Sequence, residues 1–117
     1  MRMREAEMLG ETLKALANPV RIRLVSELSS GDKCVCELVK VVGIDFSNVS
    51  RHLTHLKKVG ILSDRRDGLK VIYHLQTPCI LRAFECALEV QRGELRRKGR
   101  ILGGAGNYGK TDCEKCV

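Results

Sequence analysis

The chain has 117 residues, room for one domain and hardly two. Lys and Arg number 21 against 14 Asp and Glu, a formal charge of +7, and 44% of the residues are hydrophobic, too many for a disordered chain. Aromatic residues are only 3% with no Trp, which argues against binding nucleic acid by stacking bases on aromatic platforms and suits duplex phosphate better.

In chain order, Leu9, Leu13, Leu16 and Ala17 recur at helical spacing and predict a first helix over residues 5–17. Asn18-Pro19 then punctuates, with Asn18 suited to cap and Pro19 to the first helical position. Val20, Leu24, Val25 and Leu28 predict a second helix, closed near Ser29-Ser30-Gly31. A short third helix carries Val35, Leu38, Val39 and Val42 and ends at Gly43. Asp45 is the expected N-cap of a fourth, whose Val49, Leu53 and Leu56 form one buried stripe. Gly60 terminates it.

From residue 61 the period changes, and Asp67-Gly68 between β-prone runs is a strong hairpin signal. A fifth helix is expected from Pro78 through Ile80, Leu81, Phe84, Leu88 and Leu95. Five glycines between 99 and 109 mark residues 99–117 as a flexible Gly-rich tail, leaving 1–98 as the domain. The order is mainly α with a small β-hairpin, α-α-α-α-β-β-α, a winged helix-turn-helix whose turn is Gly43-Ile44-Asp45.

No apolar run approaches the ~20 residues a bilayer crossing needs. The start, Met1-Arg2-Met3-Arg4-Glu5, lacks the apolar stretch of a secretory signal. A cytoplasmic protein with no membrane partner is expected. In that reducing compartment the cysteines at 34, 36, 79, 86, 113 and 116 read as thiols, ligands or packing groups rather than a disulfide frame.

Charge concentrates where such a motif meets DNA. Between residues 47 and 70 stand six basic and two acidic residues, more than half of the net charge in about a fifth of the chain. A recognition helix in the major groove would offer Ser47, Asn48, Ser50, Arg51, His52, Thr54 and Lys58. Arg65, Arg66 and Lys70 on the hairpin would reach backbone or minor groove. His52 also falls beside Val49 and Leu56, a place suited to packing, while His55 and His74 carry no site signal by themselves.

These residues carry a resemblance. Ala17-Asn18-Pro19-Val20-Arg21-Ile22-Arg23-Leu24 resembles the start of the second helix in the ArsR/SmtB family of winged-helix metalloregulators. Phe46-Ser47-Asn48-Val49-Ser50-Arg51-His52-Leu53-Thr54-His55-Leu56 with Gly60-Ile61-Leu62 resembles its recognition helix and exit. Arg65-Arg66-Asp67-Gly68 with Ile72-Tyr73-His74-Leu75 resembles its wing. The resemblance covers about residues 8–92. It implies a homodimer built on the first and last helices, and a repressor on two-fold-symmetric duplex DNA that leaves its operator when an inducer binds.

Cys34-Val35-Cys36-Glu37-Leu38 resembles the Cys-Val-Cys box of the arsenite- and antimonite-responsive members. Thiolates prefer soft ions, a helix start favours thiolate, and Lys33 adds positive charge. Residues i and i+2 of a regular helix point about 200° apart, so a shared ion requires an irregular first turn. The family's third Cys falls here on Val39, so the ion would either take a third thiolate from Cys113 or Cys116 of the tail or bind through two. Cys86 reads as a packing group, and the zinc-type site of the family's last helix is not expected because that helix has no His.

The implied function is a repressor induced by trivalent arsenic or antimony, a methylated arsenical included, with no cofactor required for DNA binding. A redox or sulfur sensor and a cadmium, lead or zinc sensor are the alternatives on the same fold. No nucleophile–His–acid set or phosphate loop points to an enzyme.

Overall fold

The computed structural model describes residues 1–101, in two units, Met1–Pro78 and the segment from Cys79 onward. The first unit runs α1 (Met3–Leu16), α2 (Pro19–Leu28), β1 (Lys33–Cys34), α3 (Val35–Val42), α4 (Phe46–Lys58), β2 (Leu62–Asp67) and β3 (Lys70–Leu75). The second carries α5 (Ile80–Ile101).

Local chemistry sets most boundaries. Asn18 Oδ1 accepts hydrogen bonds from the backbone N–H of Val20 (2.9 Å) and Arg21 (3.3 Å), and Pro19 opens α2 where no N–H is needed. Gly43 takes φ +70° and returns its N–H to Val39 O, ending α3 in the left-handed conformation that Gly adopts without strain. Asp45 caps α4 by accepting from Asn48 N–H at 3.1 Å. The three residues 43–45 are the turn of the helix-turn-helix.

The core sits where α2, α3 and α4 meet the root of the hairpin. Leu24, Val25, Leu38, Val49, Leu53, Leu56 and Ile61 are each at most 1% exposed. Each such side chain contributes roughly 1.5–3 kcal/mol of transfer free energy. The stripe Val49, Leu53, Leu56 is buried as its spacing predicts, which turns the other face of α4 outward.

The sheet differs from a plain hairpin. It has three antiparallel strands in the order β1-β3-β2, with Lys33 opposite Tyr73 and Cys34 opposite Ile72. A two-residue strand is too short to show a period of two, so β1 has no sequence signature. In the hairpin Leu62 faces Leu75 and Asp67 faces Lys70, so the turn residues are Gly68 and Leu69. Gly68 alone of the two has positive φ, +65°, the arrangement of a type II′ turn with Gly first.

By itself, α5 is a 22-residue helix that continues three residues past the boundary expected at 98. Arg97 pairs with Glu94 at 2.8 Å on it. Of the tail expected over 99–117, residues 102–117, with Cys113 and Cys116, lie outside the described residues. No described helix is long and apolar enough to cross a membrane.

Candidate functional site

The outward face of α4 forms a shallow groove of about 390 Å³ lined by Ser47, Ser50, Arg51, Thr54, His55 and Lys58. Five of these are residues the sequence singles out, and His55 is one it passes over. Its signal was present: His55 stands four positions after Arg51, on the same helical face. Thr54 Oγ1 donates to Ser50 O at 2.9 Å, so its hydroxyl oxygen remains an acceptor at the surface.

Two predicted residues are partly committed elsewhere. Asn48 Nδ2 donates to Asp45 Oδ1 at 2.6 Å, which makes its amide part of the α4 cap. The hydrogen bonds from Asn48 hold the Asp45 carboxyl below the usual carboxylate range. His52 turns away from the groove. Arg21 Nε donates to His52 Nδ1 at 3.1 Å, and Arg21 Nη1 donates to Ala15 O at 3.1 Å, which ties α1, α2 and α4 together. Burial, then the charges of Arg21, Arg51 and His55, keep the His52 pKa below the ordinary histidine value. The ring is therefore a neutral acceptor that braces α4 from behind, and it does not join the other six on the groove side.

On the wing, Arg65, Arg66 and Lys70 are exposed. Arg65 Nη1 lies 2.7 Å from Asp32 Oδ2, and Lys57 Nζ lies 2.9 Å from Asp64 Oδ1. Of the six basic residues between 47 and 70, two are thus already paired. Arg51, Lys58, Arg66 and Lys70 make no ion pair among the described residues. Tyr73 is buried, and burial and the neighbouring Asp64 raise its pKa.

The paired cysteines have unlike settings. Cys34 is the extended N-cap of α3, φ −80° and ψ 161°, and is buried at 3% exposure. Cys36 is on the helix and exposed. The pair therefore escapes regular helical spacing because Cys34 precedes the helix. Cys34 N–H and Cys34 Sγ both donate to Glu37 Oε1 at 3.2 Å, and these bonds hold the Glu37 carboxyl below its ordinary range. Lys33 does not lean on the thiols: its Nζ donates to Ser30 Oγ at 2.8 Å and Glu27 O at 3.3 Å.

Among the described residues no group of three or more His, Cys, Asp or Glu is arranged to hold a metal ion. Cys79 is a free, exposed thiol. Cys86 is disulfide-bonded, so it is not one of the free thiols that the sequence leads one to expect.

With this geometry in place, likeness to known proteins becomes informative. Residues 18–64, from the α2 cap to the middle of β2, match the model of the arsR family of bacterial regulatory proteins. An HTH-type transcriptional regulator of Mycobacterium tuberculosis, Rv0081, is 36% identical over 94 residues, 80% of this chain and 82% of that protein. The chain belongs to the arsR family. The family is one of bacterial regulatory proteins.

The crystal structure of Rv0081 superposes on this arsR-family fold with TM-score 0.69 and 34% identity, covering 80% of this chain and 94% of that one. The antimony-specific transcriptional repressor AntR superposes with TM-score 0.66 and 36% identity, covering 74% and 79%. The transcriptional repressor SmtB of M. tuberculosis is 44% identical over 66 residues, 56% of this chain, and the chain spans only 49% of that relative's length. Other matched family members are named for arsenic and for cadmium resistance, so membership does not choose the inducer.

Proposed function

We propose that this arsR-family chain is a homodimeric, DNA-binding repressor that leaves its operator when a thiophilic ion binds. The observation that carries the reading is the exposed α4 face, with Ser47, Ser50, Arg51, Thr54, His55 and Lys58 turned to one side by the buried stripe behind them. An α-helix presenting hydroxyls and cations in one row fits the major groove. Unpaired Arg66 and Lys70 on the wing add cations beside it for phosphate. Arg65 belongs to the same set. Met3, Met8, Leu9 and Leu13 leave apolar side chains of α1 between 44% and 74% exposed, which supports a second copy as their cover. A two-fold dimer then reads a two-fold duplex.

Trivalent arsenic or antimony is the inducer best matched to Cys34 and Cys36. Sulfur donors select soft ions, and the likeness to an antimony-specific repressor supports that choice. Binding As(III) to a thiol releases the thiol proton and a hydroxide from arsenic as water. For Cys34 it also removes the S–H that Glu37 accepts. The start of α3 then reorganises, and the displacement reaches α4 through the turn at 43–45. Affinity for DNA falls only by the ion's preference for the reorganised form.

The test is an inducer panel. The full chain, on a duplex it selects from a random-sequence pool, is titrated with arsenite, antimonite, a monomethylated arsenical, cadmium, lead, zinc and an oxidant. Release by arsenite or antimonite at the lowest concentration supports the reading. Release by oxidant alone makes it a redox sensor, and release by cadmium, lead or zinc alone makes it a divalent-ion sensor. Repeating the panel with Cys113→Ser and Cys116→Ser reads the contribution of the tail thiols.

A further inference from the structure

Asp32 is an acid on the side of the molecule that the wing's cations occupy. Gly31, at φ +145°, delivers it to the edge of the sheet, immediately before β1. Since Lys33 faces Tyr73, Asp32 falls opposite His74 in the continued ladder. Its two oxygens have separate partners: Oδ1 lies 2.6 Å from His74 Nδ1, and Oδ2 lies 2.7 Å from Arg65 Nη1. One carboxylate thus spans both strands of the wing. The row beside it matters too, because Cys34 faces Ile72 and Ile72 faces Arg65.

We propose that Asp32 is a positioning residue for DNA binding: its carboxylate clasps Arg65 and His74 together and so sets where the wing presents Arg65. The proposal rests on the reading that the wing touches duplex DNA.

The charge of Asp32 opposes phosphate, so any benefit it brings to binding comes through geometry. Its ion pair is exposed, with side-chain exposures of 58% for Arg65 and 32% for Asp32, and such pairs contribute little to stability. Arg65 gives Asp32 a donor from only one nitrogen, and a guanidinium has five N–H donors in a fixed fork. The clasp therefore orients the fork without consuming it. Asp32 is also two residues before Cys34, just ahead of β1.

The experiment uses the full chain and a duplex recovered from a random-sequence pool, with affinity measured against salt. Asp32→Asn binds about five- to tenfold more weakly, although it removes a negative charge. Arg65→Ala weakens binding by a similar factor, and the double variant binds like Arg65→Ala alone because Asp32 acts through Arg65. The slope of log affinity on log salt falls by about 1 in all three. Asp32→Asn binding as tightly as the parent, or tighter, overturns the proposal. So does a further loss when Asp32→Asn is added to Arg65→Ala, which marks a general structural defect. Unchanged affinity in both Arg65→Ala and Arg66→Ala means that the wing reading itself has failed. Should Asp32→Asn not fold, as judged by melting, His74→Gln removes one arm of the clasp and is judged by the same outcomes.

Discussion

The starts of α3 and α4 are built from unlike materials. Asp45 opens α4 with a carboxylate that accepts from Asn48 N–H and from the Asn48 side chain, at 3.1 and 2.6 Å. Three side chains behind it, Val49, Leu53 and Leu56, are 0% exposed. Cys34 opens α3 with a thiol, a weak hydrogen-bonding group, supported by Glu37 at 3.2 Å. Its eight-residue helix has two buried anchors, Val35 and Leu38. Short helices draw their stability from packing and caps. The comparison teaches that the element which would read DNA is firmly seated, while the element which carries the thiols is held at its start by the group an inducer would take.

Removing the soft side of this contrast has the largest expected effect. Cys34→Ser with Cys36→Ser should bind DNA and lose all response to arsenite; normal induction in that variant would move sensing to another site. On the firm side, Arg51→Ala should lower DNA affinity by roughly tenfold or more with an unchanged melting curve. Unaltered affinity would remove α4 as the reading element.

Smaller effects sharpen the contrast. Asp45→Ala removes a strong cap and should lower the melting temperature by a few degrees. Glu37→Ala, which leaves only the thiol at the start of α3, should cost less. The reverse order would show that α3 has the firmer start. The smallest effect concerns pH. His52 has a folded pKa below its ordinary value of 6.5, so below that value the unfolded chain binds the extra proton. Stability is then full above 6.5 and declines as pH falls from there toward the folded pKa. Denaturant midpoints measured from pH 7.5 to 5.5 should show this decline, and His52→Gln should flatten it. A slope that persists in His52→Gln assigns the effect to another group.

Features set by residues within a few positions of one another are legible in the amino-acid sequence. Asn18-Pro19, Gly43, Asp45 and the stripe Val49, Leu53, Leu56 all stand as their chemistry predicts. Five of the six groove residues follow from that stripe by elimination of the buried face. The placement of His52 does not, because its partner Arg21 is 31 residues away. The clasp on Asp32 joins residues 33 and 42 positions apart, and His74 has no signal of its own.

The amino-acid sequence by itself determined the helices, their stops, the hairpin and the cationic face, because caps, turns and periodicity act between near neighbours in the chain. The tertiary structure alone decided that Cys34 is buried while Cys36 is exposed, that β1 joins the wing, and which cations Asp32 and Asp64 neutralise. Those outcomes depend on which surfaces meet once the core of α2, α3 and α4 has closed, and no local pattern encodes the partner across that gap.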